Sequence, residues 1–76
     1  MNTLVIGGSG GLGLALTKLF CGSPDIASVT ATYRTHQPTF HADKLNWVQL
    51  DITDEESVVK LFEKCPDLTY IINAVG

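Results

Sequence analysis

Seven residues near the start of the chain have the types and spacing needed to bind a phosphate group. The segment GGSGGLG, residues 7–13, follows the apolar residues 3–6 and precedes a helical pattern that begins at Leu12. Glycine permits backbone angles that a side chain forbids, and it lets a ligand approach the backbone closely. A turn of this kind presents free N–H groups at the positive end of a helix. The segment therefore predicts a nucleotide-binding turn between a strand and a helix.

The glycine spacing fits two dinucleotide-binding patterns. Gly8, Gly10 and Gly13 fit G-x-G-x-x-G. Gly7, Gly11 and Gly13 fit G-x-x-x-G-x-G, which is typical of short-chain dehydrogenases and reductases. Because a lone glycine-rich turn can also be simple loop structure, the prediction depends on the later motifs that agree with it.

The end of the second predicted strand indicates which dinucleotide binds. A site for NAD usually has Asp or Glu about 20 residues beyond the glycine turn, where it accepts a hydrogen bond from the ribose 2′-hydroxyl. This chain has Tyr33, Arg34 and Thr35 there. Since a guanidinium can bind a 2′-phosphate through two hydrogen bonds, Arg34 favours NADP. NAD, with Arg34 as a solvated surface residue, stays the alternative.

The remaining candidates for chemistry predict no metal site. Cys21 and Cys65 each end a predicted helix, and their separation fits neither a redox motif nor a zinc cluster, so we expect them to pack in apolar surroundings. His36 and His41 lie in a polar connection without the further ligands that a metal needs.

These residues must be positioned by an alternation of strands and helices. Short apolar runs predict strands at residues 3–6, 26–33, 47–50 and 70–72, the first and last of them buried. The first helix is expected to pack on the sheet through an apolar stripe of five residues, namely Leu12, Ala15, Leu16, Leu19 and Phe20. Residues 35–46 have no convincing period.

The second helix has a predicted start and a predicted apolar face. Thr53, with Glu56 three residues later, forms a capping box pattern that predicts the helix start. The expected apolar face consists of Val58, Leu61, Phe62 and Cys65. The whole order predicts an α/β fold, half of a doubly wound parallel sheet with strands in the order 3-2-1-4 and the glycine turn at its carboxyl edge.

Composition limits the function classes. The 76 residues are 45% apolar and 17% charged, which is typical of one small globular domain. A net charge of −3 without a basic cluster argues against nucleic acid and anionic membranes as partners. No leader opens the chain and no run approaches about 18 apolar residues, so we expect a cytoplasmic protein.

Three motifs, in this order along the chain, resemble the opening of a classical short-chain dehydrogenase/reductase: residues 7–13, residues 50–53 (LDIT) and residues 73–76 (NAVG). The segment ATYR, residues 31–34, is similar to the C-factor-like members of that family. The resemblance implies that the turn binds the pyrophosphate and adenosine ribose through five residues, Gly7, Ser9, Gly10, Leu12 and Gly13, with Gly11 as a further glycine of the site. Asp51 would contact the adenine and Ile52 would offer backbone. Asn73 and Gly76 match the ends of the element that lines the ribose on the nicotinamide side.

The resemblance also implies a parent oxidoreductase that transfers hydride between NADP(H) and a carbonyl or alcohol. In that family the catalytic Ser and Tyr-x-x-x-Lys follow the last motif present here. Neither tyrosine of this chain has a Lys four residues later, since residue 37, four after Tyr33, is Gln, and residue 74, four after Tyr70, is Ala. We therefore assign no catalytic residue and expect the 76 residues, as the N-terminal half of a truncated Rossmann domain, to be inactive. A noncatalytic nucleotide-binding or NADP-sensing module is the alternative. We expect the open fourth strand to cause self-association and the parent to be a homo-oligomer.

Overall fold

The computed structural model describes residues 2–51, 53–65 and 67–74. Its elements follow the predicted order, with strands and helices of four to eleven residues. In chain order they are β1 (Asn2–Ile6), α1 (Gly11–Cys21), β2 (Ser28–Tyr33), β3 (Leu45–Gln49), α2 (Glu55–Lys64) and β4 (Tyr70–Asn73). Residues 34–44 contain no helix, in agreement with their lack of periodicity.

The four strands form one parallel sheet in the predicted order β3-β2-β1-β4. In this register Leu4 of β1 lies opposite Thr30 of β2 and Ile71 of β4. The carboxyl ends of the strands therefore meet at one edge, where the glycine turn leaves β1. This is the Rossmann-like half-sheet that the alternation of elements predicts.

Each face of the sheet has its own apolar cluster, because successive residues of a strand point to opposite faces. One cluster is built around Val5, Val29 and Ala31, with Phe20 of α1 packed against it. On the other face, Leu4, Leu50 and Leu61 form a second cluster around α2. α1 and α2 therefore cover opposite faces, and both help to position the strand ends.

The predicted apolar stripe of α1 is wrong in part. Leu12 and Leu19 are 69% and 67% exposed and Ala15 is also exposed, whereas the buried residues of α1 are Gly13 and Thr17. The glycine turn explains this rotation, because residue 13 must lie directly against Gly7 and thereby selects the face that meets the sheet. The hydroxyl group of Thr17 is accommodated there by donating to the carbonyl of residue 13 at 2.8 Å.

The predicted capping box at Thr53 is also wrong. The residue that caps α2 is Asp54, whose carboxylate accepts from the backbone N–H of Glu56 at 3.1 Å and from the Ser57 hydroxyl at 2.9 Å. Thr53 is instead bonded to Asp51. Asp54 is the N-cap in place of Thr53 because its carboxylate accepts a hydrogen bond from a helical N–H as well as a Thr hydroxyl does, and because Asp54 is one residue closer to the helix.

β4 is a partly exposed edge strand and not the buried strand that its apolar residues predict. Tyr70 and Ile71 are 53% and 52% exposed although they point to opposite faces of the sheet. Phe62, predicted for the packed face of α2, is 38% exposed. Of the described residues, none adds a strand or a helix beside β4 to cover these side chains.

Candidate functional site

The turn between β1 and α1 has the geometry that a phosphate-binding turn requires. Gly7 has a φ of 82°, a conformation that residues with a side chain rarely adopt. The turn is closed by a hydrogen bond from the Gly10 N–H to the Gly7 carbonyl at 3.3 Å. A Cβ on Gly13 would overlap this same carbonyl, so residue 13 must be glycine for α1 to start here.

The first turn of α1 has no capping side chain. The N-cap residue is Gly10, which has no side chain to accept a hydrogen bond from the first turn. Its backbone carbonyl accepts from the Leu14 N–H at 2.6 Å. The N–H groups of Gly11, Leu12 and Gly13 have no acceptor within residues 2–51, 53–65 and 67–74. No acidic residue occupies the first helical turn. Three free donors and the positive end of the helix dipole therefore form a position that can accept an anion.

Each glycine spacing combines glycines that the fold requires with glycines that it does not. Gly7, of the second spacing, and Gly13, of both, are required by the turn itself, and a Cβ on Gly8, of the first spacing, would lie 2.8 Å from the Cβ of Ala31. A Cβ on Gly10 would make only an ordinary contact of 3.7 Å, and one on Gly11 would meet nothing within 4 Å. The space above Gly11 is open, and a ligand can approach the backbone there without obstruction.

A hydrogen bond that the sequence does not reveal connects the turn to β2. The Thr32 hydroxyl oxygen accepts from the Gly7 N–H at 2.8 Å across 25 residues of sequence. The short-chain dehydrogenase family often has Thr just before its first motif glycine, where this chain has Ile6. Thr32 thus supplies, from the neighbouring strand, an anchor for the turn. Only the register of β1 against β2 brings the two residues together.

A cavity of about 190 Å³ opens beside the turn at the carboxyl edge of the sheet. It brings together predicted site residues from three separate parts of the sequence. Its lining consists of Gly7, Ser9, Thr32, Tyr33, Arg34, Leu50, Asp51 and Thr53. The carboxyl ends of adjacent parallel strands are where ligands bind in open α/β sheets, so this cavity is the candidate site.

Asp51 enters the cavity from the end of β3 with a fixed carboxylate. Its Oδ1 accepts from the Thr53 hydroxyl at 2.6 Å and from the Thr53 backbone N–H at 3.0 Å. These two bonds, with a smaller contribution from the positive charge of Arg34, hold the pKa of Asp51 below its ordinary value. No described residue donates to Oδ2. Asp51 is therefore an ionised acceptor that can take a donor from a ligand.

Arg34 lies at the mouth of the cavity, one residue beyond β2. Its side chain is exposed, and its backbone carbonyl accepts from the Gln49 amide at 3.2 Å. The ring of Tyr33 meets Trp47 edge to face, with centroids 6.5 Å apart. The backbone at Arg34 is thus held by β3 while the guanidinium faces solvent, beside Asp51 and available to an anion.

Asn73, a further predicted site residue, lies outside this cavity. Asn73 ends β4 beside Ile6, so it is on the opposite side of β1 from Arg34 and Asp51. The backbone N–H of Ala74 continues this pairing by donating to the Ile6 carbonyl at 2.8 Å. Ile52 and Gly76 lie outside the described residues. Asn73 is close to the start of the turn, which is the arrangement needed for a ligand that crosses the end of β1.

The two cysteines lie in apolar surroundings and the two histidines lie at the surface, as the sequence predicts. Cys21 and Cys65 are free, half-buried, and packed against different clusters on opposite faces of the sheet. Burial raises the pKa of the Cys21 thiol. His36 and His41 are exposed. The part of the chain that the structure describes holds no group of three metal-ligating side chains, and none of its helices is long and apolar enough to cross a bilayer.

Comparison with known proteins shows the family. Residues 3–76 match the NAD dependent epimerase/dehydratase family, and the chain belongs to it. Membership implies a nicotinamide dinucleotide as cofactor and agrees with the cavity and the uncapped helix. No curated protein matches the chain significantly.

Two solved structures share the fold of this chain. A short chain dehydrogenase family protein from Francisella tularensis subsp. tularensis SCHU S4 is 25% identical with a TM-score of 0.82, covering 99% of this chain and 31% of that chain. The oxidoreductase ylbE from Lactococcus lactis is 23% identical with a TM-score of 0.77, covering 100% and 33%. The chain therefore spans about a third of the length of these structures. The predicted fold and the predicted similarity to oxidoreductases like the short-chain dehydrogenases are confirmed, whereas the classical group and the C-factor-like member stay predictions.

Proposed function

We propose that residues 1–76 form the N-terminal, cofactor-binding half of a Rossmann domain in an NADP(H)-dependent short-chain oxidoreductase. The observation that carries this proposal is the glycine turn, in which three free N–H groups at an uncapped helix start adjoin a cavity that contains both a cation and a carboxylate. The parent protein would transfer hydride between the nicotinamide and a carbonyl or alcohol substrate.

In the proposed complex, each part of the dinucleotide binds residues of complementary charge or hydrogen-bonding character. The N–H groups of Gly11, Leu12 and Gly13 bind the pyrophosphate, because they are the donors left free at the positive end of α1. Ser9 lies in the turn and lines the cavity, so its hydroxyl is available to the same phosphates or to the adenosine ribose. Gly7 and Gly10 contribute the shape of the turn.

The adenosine end occupies the cavity between β2 and β3. Asp51 accepts from the adenine amino group through Oδ2, and Ile52 follows it with backbone groups, as the family resemblance implies. Arg34 binds the 2′-phosphate. A charge-assisted hydrogen bond contributes about 1.5 to 3 kcal/mol, which corresponds to a preference for NADP over NAD of about ten- to hundredfold.

The nicotinamide end crosses β1 toward β4. Asn73 and Gly76 line its ribose, which is supported by the position of Asn73 beside the end of β1. Tyr33 and Tyr70 lack a Lys four residues later, so neither is assigned as a proton donor, and residues 1–76 hold the cofactor without catalysing the reaction.

We also propose a cytoplasmic location, a homo-oligomeric parent, and a C-factor-like member of the classical short-chain group, on the basis of the sequence motifs.

A noncatalytic NADP-sensing module is the second candidate, because the same fold can bind a nucleotide without catalysing a reaction. The two candidates differ in one measurement on the protein as its source cell makes it. Oxidation of NADPH in the presence of a panel of carbonyl compounds, followed at 340 nm, supports the oxidoreductase. Tight NADPH binding without oxidation over the whole panel supports the sensor.

The cofactor assignment is tested by calorimetric titration of NADP⁺ and NAD⁺. We expect the natural protein to bind NADP⁺ about ten- to hundredfold more tightly, and Arg34→Ala to remove this preference while leaving NAD⁺ affinity nearly unchanged. Lys44→Ala is the matched control, since Lys44 donates to the carbonyls of Ser23 and Ile26 and lies outside the cavity. Equal affinity of the natural protein for both dinucleotides would contradict the role of Arg34.

A further inference from the structure

The bond between Thr32 and Gly7 has a consequence for ligand binding. Thr32 is only 2% exposed, yet it belongs to the cavity lining together with Gly7. Its hydroxyl accepts the Gly7 N–H at 2.8 Å, so this amide cannot donate to a ligand. The backbone of Gly7 is instead held in its left-handed conformation by a side chain from the neighbouring strand.

The register of the sheet determines that residue 32 has this position. β1 and β2 pair with Val5 opposite Ala31, so Thr32 comes level with the last residue of β1, immediately before the turn. On its other side Thr32 pairs with Val48 of β3. The hydroxyl is thus fixed by a strand that has a neighbour on each side, which makes it a rigid anchor and not a surface contact.

The anchored residue determines where the free donors point. The Gly7 carbonyl accepts from the Gly10 N–H and lies directly against Gly13, so the orientation of the Gly7 peptide is coupled to the first turn of α1. Releasing the Gly7 amide would leave a part-buried N–H unsatisfied and would free this peptide to rotate. The free N–H groups of Gly11, Leu12 and Gly13 would then lose their common direction.

We propose that Thr32 is a positioning residue for the pyrophosphate of the dinucleotide. The Thr32 hydroxyl bonds to the Gly7 N–H and not to the ligand, so Thr32 affects the pyrophosphate only by fixing the Gly7 peptide. This inference rests on the proposed cofactor-binding function and extends it, because it assigns the rigidity of the phosphate-binding turn to a residue of β2 outside the glycine motif.

The test compares two ligands that share the adenosine end. NADP⁺ contains the pyrophosphate, whereas adenosine 2′-monophosphate has adenine, ribose and the 2′-phosphate only. With the natural protein, Thr32→Val should weaken NADP⁺ binding about tenfold and change binding of adenosine 2′-monophosphate by less than about twofold. Thr32→Ser, which keeps the acceptor oxygen, should restore NADP⁺ affinity.

Thr30→Val is the matched control, because Thr30 lies two residues earlier on β2, on the same face, and lines a cavity at the opposite end of the sheet. It should leave both affinities unchanged. An unchanged NADP⁺ affinity in Thr32→Val, or an equal loss for both ligands, would overturn the positioning role. Failure of the unsubstituted protein to bind either ligand would overturn the proposed cofactor-binding function, and the positioning role with it.

A measurement on the unsubstituted protein covers the case in which Thr32→Val does not fold. The Gly7 amide should be protected from hydrogen exchange to about the same degree as the amides of the central strands, because the anchor must open before exchange occurs. Exchange of this amide at the rate of an unprotected peptide would overturn the proposal.

Discussion

Gly13 lies so close to the carbonyl group of Gly7 that a Cβ atom at residue 13 would overlap it, whereas a Cβ atom at Gly11 would meet nothing within 4 Å. This difference separates a glycine that the fold requires from one that it does not. Both belong to the glycine motif of the first helix, and the sequence does not distinguish them.

The first prediction uses these two glycines as a matched pair. Gly13→Ala should lower the free energy of unfolding by about 1 to 3 kcal/mol, because the helix must move away from the turn. Gly11→Ala should leave it unchanged or raise it by up to about 1 kcal/mol, since alanine favours a helix over glycine. Urea unfolding followed by circular dichroism measures both. Equal destabilisation by the two substitutions would contradict the described packing.

Much of the fold could be predicted from the sequence, because apolar runs and turn residues act locally. The alternation of elements led to the strand order β3-β2-β1-β4, and the glycine turn marked the edge at which the site lies. The positions of Arg34 and Asp51 after β2 and β3 assign both residues to the predicted cofactor site, and both line the same cavity.

The parts that could not be predicted depend on contacts between distant residues. Thr32 reaches Gly7 only through the register of two strands, and the buried face of α1 is chosen by the approach of Gly13 to the turn and not by the leucines. The exposure of Tyr70 follows from the position of β4 at an edge, which overrides the apolar character of its residues.

The second prediction concerns the start of α2. Asp54→Ala should lower the free energy of unfolding by about 1 kcal/mol, because it removes the acceptor for the Glu56 N–H and the favourable charge at the helix start. Thr53→Ala is the control and should cost less, since its side chain bonds Asp51 and not the helix. A larger loss for Thr53→Ala, measured in the same urea series, would restore the capping box that the sequence suggests.

The third prediction is the titration of Asp51. Because its folded-state pKa is lowered, its contribution to stability is present above the unfolded-state pKa and is lost as the pH falls through the folded-state pKa. Thr53→Val should raise this pKa, since it removes the strongest hydrogen bond, and Arg34→Ala should raise it less. Carboxyl carbon shifts in an NMR titration give the three values. A larger rise in Arg34→Ala would show that charge, and not hydrogen bonding, dominates.

The fourth prediction concerns the open edge of β4. A 76-residue chain prepared alone should self-associate at high concentration, because β4 presents an edge strand with Tyr70 and Ile71 about half exposed. Ile71→Lys should reduce the association, since a charge on an edge strand opposes pairing. Sedimentation velocity over a wide concentration range is the measurement. A monomer at every concentration would show that this edge does not pair.

In the proposed complex, the uncapped start of α1 binds the phosphates of a dinucleotide whose adenosine end occupies the cavity beside it. The most direct test is an NMR titration of the ¹⁵N-labelled protein with NADP⁺, following each backbone amide. We expect the largest shifts at Gly11, Leu12 and Gly13, with a second group at Arg34 and Asp51. Saturable shifts confined to other parts of the sheet, or no shifts at millimolar NADP⁺ with the complete natural protein, would contradict it.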